Sequence, residues 1–114
     1  MLSVRDKGLL LGIIKHCRKI LEKTESLPRE AFDQDEDVVE IVCFNIMQIG
    51  ELAKGLSPEF ITRFNDVPWK QIKGMRDKVA HGYGTIDLDR VWSTAQENVA
   101  PLLKYCQSIL DDDR

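Results

Sequence analysis

The segment Gly74-Met-Arg-Asp-Lys-Val-Ala-His-Gly-Tyr83 gathers the most reactive side chains of the chain within a few helical turns. Arg76 carries a permanently charged fork whose donors match phosphate oxygens. His81 exchanges a proton near neutral pH, and Tyr83 adds a hydroxyl. At ~100° per residue Arg76 and Tyr83 share a helix face, whereas His81 lies about 140° from Arg76 unless the turn unwinds at Gly82. Such a set suits an anionic group that must gain or lose a proton. On spacing alone, the same side chains would equally serve to hydrogen-bond the last carbonyls of a helix.

Other candidate groups are poorer. Cys17, Cys43 and Cys106 are far apart, lack the close pairing of a zinc or redox motif, and sit among apolar neighbours, so they read as small buried hydrophobes. Glu51 follows an apolar helix and reads as a solvated or ion-paired helix-end group, outside the catalytic set. Asp77, beside Arg76, could orient Arg76 or His81, neutralise charge, or pair with a nearby lysine. Trp69 and Trp92 recur at helical spacing and read as core or interface residues rather than base-stacking platforms. No acidic or cysteine cluster has metal-ligand spacing, so no metal site and no cofactor are expected.

The elements that must position these residues are helices. Leu10, Ile13, Ile14, Cys17, Ile20, Leu21 and Thr24 recur at three- and four-residue steps, predicting a helix from about Val4 to Thr24 that Leu27-Pro28 ends. A second, from about Asp35 to Lys54, opens on acidic residues and closes near Gly55. Its apolar residues, Val38 to Ile49, occupy more than one face. One side is therefore expected in the monomer core and another against a partner, with Ile46 and Ile49 the positions to test, unless they face the core. Ser57-Pro58-Glu59 predicts a short helix to Phe64. A further helix from Pro68 carries Trp69, Ile72, Met75 and Val79 or Ala80 and stops at Gly82 and Gly84. The last starts after Asp87 and runs to about Leu110, kinked at Pro101. No strand alternation appears. The expected fold is an all-α antiparallel bundle of four main helices plus a short one, in one domain of residues 1–114.

Composition narrows the functional classes. With 43% hydrophobic and 31% charged residues the chain is neither disordered nor a membrane protein. The N-terminal stretch lacks a signal peptide's apolar run, which points to the cytoplasm. A net charge of −3 rules out coating nucleic acid by bulk electrostatics. The charge is uneven, however: an acidic stretch spans Glu30 to Glu40, and Arg63, Lys70, Lys73, Arg76, Lys78 and Arg90 gather later, so a local face could still meet a phosphate backbone.

The array Arg76, four residues, His81, one residue, Tyr83 resembles the signature of the HepT-like ribonuclease toxins, a branch of the HEPN superfamily. Pro68-Trp69, Gly74-Met75-Arg76, Ala80-His81-Gly82-Tyr83 and Asp87 to Trp92 follow the family's order, with Ile49-Gly50-Glu51 resembling its upstream helix. The resemblance extends from about Arg5 to about Leu103, and departs at Asp77, where the family often has asparagine. It implies a metal-independent endoribonuclease, acting as a homodimer whose two motifs line one cleft. Arg76 would stabilise charge and His81 move protons during attack of a ribose 2′-hydroxyl on the adjacent phosphate. It also implies a toxin–antitoxin pair, in which a minimal nucleotidyltransferase antitoxin transfers AMP from ATP to Tyr83. The competing expectation is a catalytically idle HEPN module that complexes with a nucleotidyltransferase, which the overall acidity and Asp77 favour.

Overall fold

A computed structural model describes residues 1–79 and 86–113. Among them eight helices and no strand occur: α1 (Val4–Thr24), α2 (Arg29–Gln34), α3 (Glu36–Lys54), α4 (Pro58–Arg63), α5 (Trp69–Lys73), α6 (Met75–Val79), α7 (Leu88–Glu97) and α8 (Val99–Asp112). The all-α bundle is as expected, with three expected elements subdivided or supplemented.

Ser3 starts α1 by accepting from the Asp6 amide at 3.0 Å, and Thr24 finishes it by donating to the Ile20 carbonyl at 2.9 Å. The expected stripe is the buried one, apart from Leu21, which is only partly covered. Helix α2 was not anticipated. A six-residue helix shows no periodicity, and its acidic residues resemble a lead-in to α3. Phe32 anchors it, fully buried with its ring 5.0 Å from that of Trp92. Arg29 also ties it to α7, bonding Asp33 at 2.8 Å and Asp89 at 2.6 Å.

Asp35 proves to be the N-cap of α3 rather than its first residue, accepting from the Val38 amide at 3.1 Å. The helix runs antiparallel to α1: Gly55 lies against Leu9, Gly12 against Leu52, and His16 bonds Asn45. It also touches α2, α5, α6 and α7. That central place accounts for its broad apolar surface. Ile46 and Ile49, two candidates for a partner-facing side, are fully buried in the monomer core, and the side chain left out is Phe44, 57% exposed.

Pro68 to Val79 is not one helix. Gly74 closes α5 with its N–H shared between the Lys70 and Gln71 carbonyls at 3.2 and 3.1 Å, and its own carbonyl accepts from Asp77 at 3.1 Å. At Pro101 the ring removes the N–H due to the Glu97 carbonyl and crowds it. The regular ladder lapses at Asn98 (φ −106°, ψ −30°), and α8 continues with its stripe in phase through Val99, Leu102, Cys106 and Ile109.

One buried charge fastens the start of α1 to the start of α4. The carboxylate of Asp6 on α1 accepts from the Ser57 amide at 2.9 Å and the Ser57 hydroxyl at 2.5 Å, while Ser57 caps α4. Burial pushes its pKa up, but the bonds from Ser57 and Ser3 and the charge of Arg5 outweigh it, leaving Asp6 below its ordinary 3.8.

Candidate functional site

Arg76 is placed by the residue before it and by a glycine across from it. Met75 is 3% exposed and pins the first turn of α6 into the core, so the next side chain emerges to solvent. At Gly50 of α3, an added Cβ would lie 3.3 Å from the Lys73 carbonyl oxygen and 3.5 Å from the Arg76 amide. The missing side chain lets α3 approach the corner between α5 and α6 closely. Sequence-adjacent Glu51 thereby reaches the arginine.

The guanidinium is half exposed, and its Nη1 donates to Glu51 Oε1 at 3.2 Å. The same oxygen accepts from Lys54 Nζ at 3.3 Å. One carboxylate oxygen thus bridges two cations on a face open to water, and only one nitrogen of the fork is engaged in the bond to it. Asp77 is exposed. Among the described residues the carboxylate bonded to Arg76 is that of Glu51. His81 and Tyr83 lie outside the described residues. Glu51 is the half-exposed, ion-paired helix-end group that its sequence position suggests, and the glycine before it marks the close approach that brings it to Arg76.

Elsewhere the side chains are mostly structural. All three cysteines are buried and unpaired in disulfides. Burial pushes the thiols up, Cys43 to about 11, Cys106 to about 12 and Cys17 further still, so none is a thiolate nucleophile at neutral pH. Trp69 is a core residue, its ring 5.5 Å from Phe60 and its Nε1 donating to the Phe64 carbonyl at 2.9 Å. Trp92 is partly buried against the same core. Tyr105, by contrast, is 43% exposed rather than buried among its core-spaced neighbours.

A groove of about 900 Å³ runs between α1 and α3 and does not include Arg76. Lys15, Arg18 and Lys19 line it from α1, Asp37 and Glu40 from α3, with Ile41 and Phe44 between them. Within it His16 Nδ1 lies 2.6 Å from Asn45 Oδ1, and the Asn45 amide nitrogen donates to the Ile41 carbonyl at 2.7 Å. That fixes the amide, so the proton in this bond belongs to His16. The groove has the apolar centre and mixed-charge rim of a protein-facing surface rather than the uniform positive charge of a phosphate track. No helix among the described residues is long and apolar enough to cross a membrane.

Comparison with known proteins places this geometry in context. The family model described as "Ribonuclease HepT-like" matches residues 13–109. A protein of Caldanaerobacter subterraneus subsp. tengcongensis named "Putative RNase" is 30% identical over 102 residues, covering 90% of this chain and 91% of its own. A Methanocaldococcus jannaschii protein of the same description is 27% identical over 106 residues, 93% and 88% of the two chains. A Thermococcus cleftensis protein named "Probable ribonuclease HepT" is 29% identical over 96 residues, 84% and 87%. No solved structure matches significantly.

Proposed function

The chain belongs to the HepT-like ribonuclease family, and from that premise we propose that it is a metal-independent endoribonuclease, the toxin of a cytoplasmic toxin–antitoxin pair. The observation that carries the reading is Arg76: a motif arginine held out to solvent on a corner built from buried Met75 and bare Gly50. In the reaction a ribose 2′-oxygen bonds to the neighbouring phosphorus as the P–O5′ bond breaks. The products are a 2′,3′-cyclic phosphate and a free 5′-hydroxyl. One His81 takes the 2′-hydroxyl proton, another delivers a proton to the leaving 5′-oxygen, and Arg76 stabilises the charge gathering on the phosphoryl oxygens. Base and acid must act on opposite sides of phosphorus, so each protomer of a homodimer contributes one imidazole.

The exposed face of α3 supports that dimer. Across a two-fold axis, Lys15, Arg18 and Lys19 of one copy would meet Asp37 and Glu40 of the other around Phe44. Glu51 follows Phe44 by seven residues, hence on the same face, and it holds Arg76. Packing along this stripe would bring two arginines towards one cleft.

Silencing falls to a minimal nucleotidyltransferase antitoxin. The Tyr83 oxygen bonds to the α-phosphorus of ATP, pyrophosphate leaves, and the phenolic proton passes to solvent. The attached AMP brings a phosphate of its own to Arg76, where the RNA phosphate would bind. ATP is the partner's substrate and not a cofactor of this chain.

Arg76→Ala and His81→Ala, assayed with RNA in EDTA, test the reading. Each is expected to reduce cleavage at least ~100-fold while helical content is unchanged. Full activity in His81→Ala, or cleavage only on adding a divalent metal, overturns it. The idle-module alternative draws on one observation, that Arg76 already faces a carboxylate. It predicts antitoxin binding with no cleavage by the wild type.

A further inference from the structure

Glu51 and Lys54 present an arrangement that fold stability does not explain. All three side chains of the Lys54–Glu51–Arg76 set are about half exposed, where a single ion pair adds little to stability. Yet the backbone is arranged around the contact. A Cβ at position 50 would crowd the Lys73 carbonyl at 3.3 Å, so glycine lets α3 sit this near without a shift, and Gly74 supplies the corner that starts α6 there. The pairing geometry is also selective. Glu51 takes one terminal nitrogen of Arg76 through a single oxygen, rather than closing a bidentate fork. Lys54 shares that oxygen, so two positive charges surround one negative and the cluster keeps a net positive charge. A carboxylate placed merely to mask the arginine would cancel its charge.

We propose that Glu51 is a positioning residue: it holds the Arg76 guanidinium in one orientation by a single nitrogen, leaving the rest of the fork to receive the phosphate of the RNA. The inference rests on the ribonuclease reading above and adds a residue to it. A long, rotamer-rich arginine at a half-exposed position would otherwise sample many orientations, and ordering it only when substrate arrives would reduce the transition-state interaction. Lys54 keeps Glu51 itself in place and offsets its repulsion of the incoming anion.

The test compares Glu51→Gln with Glu51→Ala in the full chain. The glutamine amide keeps an oxygen that accepts from Arg76 but carries no charge, whereas alanine removes the acceptor. Expected results are a kcat within about threefold of wild type for Gln and about tenfold lower for Ala, with KM little changed. Side-chain NMR of Arg76 should give a well-ordered Nε–H signal in wild type and Gln, and an averaged one in Ala. Binding of a 2′-deoxy oligonucleotide, which lacks the attacking hydroxyl, is measured alongside. Tighter binding in both variants would overturn the proposal and make Glu51 a competitor for phosphate. Equal loss of kcat in both, or no change in either, would also overturn it. Should wild-type protein cleave no RNA, the ribonuclease reading fails. The Nε–H signal still decides whether Glu51 orders Arg76.

Discussion

A single oxygen carries the role proposed for Tyr83. Tyr83→Phe keeps the ring but removes the acceptor for AMP, so the variant should retain at least a third or so of wild-type cleavage and escape silencing by the nucleotidyltransferase. Intact-mass analysis after incubation with ATP and the antitoxin should show no added adenylate. Peptide mapping is needed because Tyr105 is exposed and hence reachable; adenylate on Tyr105 in the wild type would refute the assignment. Individual residues were legible to unequal degrees. Arg76, His81 and Tyr83 stood out because their chemistry is strong and their spacing short. Glu51 did not, because 25 residues separate it from Arg76 and only packing at Gly50 brings the pair together. Helical spacing likewise places Tyr105 near the stripe of α8 without saying whether a neighbouring helix covers it, and it is 43% exposed.

At the level of elements, the long helices could be read directly since their apolar periodicity extends over many turns, while the short ones could not. Helix α2 has one buried aromatic and no repeat, and the break at Gly74 occurs within an unbroken apolar phase. Joints between elements depend on contacts distant in sequence, such as that of Asp6 with Ser57. Asp6→Ala should cost about 1–3 kcal/mol, because it leaves the Ser57 donors unsatisfied beside α1. The pH dependence has a definite sign. The folded-state pKa of Asp6 is depressed, so its stabilisation is complete above the ordinary value of 3.8 and is lost as pH falls through the lower folded value. Denaturant titrations at falling pH should therefore show the gap between wild type and Asp6→Asn narrowing below pH 3.8. A gap that stays constant with pH would show that Asp6 acts through packing alone.

On the scale of the whole molecule, the breadth of the apolar surface on α3 announced that this helix is covered on several sides, but not by what. Most of the covering is internal. Two substitutions separate the inner side from the outer. Ile46→Glu places a charge in a fully buried position and should cost roughly 3 kcal/mol or more, with loss of helicity. Phe44→Glu changes a side chain that is 57% exposed, and should leave helicity intact while converting a dimer to a monomer by light scattering. If Phe44→Glu stays dimeric and active, the proposed packing along this face of α3 is wrong.

The central place of α3 also bears on when the protein becomes itself during synthesis. Its sequence leaves the ribosome well before α5, α6 and α7, three of the helices that pack against it. Until those later segments emerge, a nascent chain consisting of α1 to α4 presents the most apolar surface of the molecule to water, covered chiefly by α1. The corner that carries Arg76 has no platform to close upon until α3 is seated, and α3 lacks its full cover until α7 arrives. Ordering of the arginine therefore awaits the emergence of α5 and α6, and a translation product truncated before them would leave apolar surface of α3 open to chaperones or proteases.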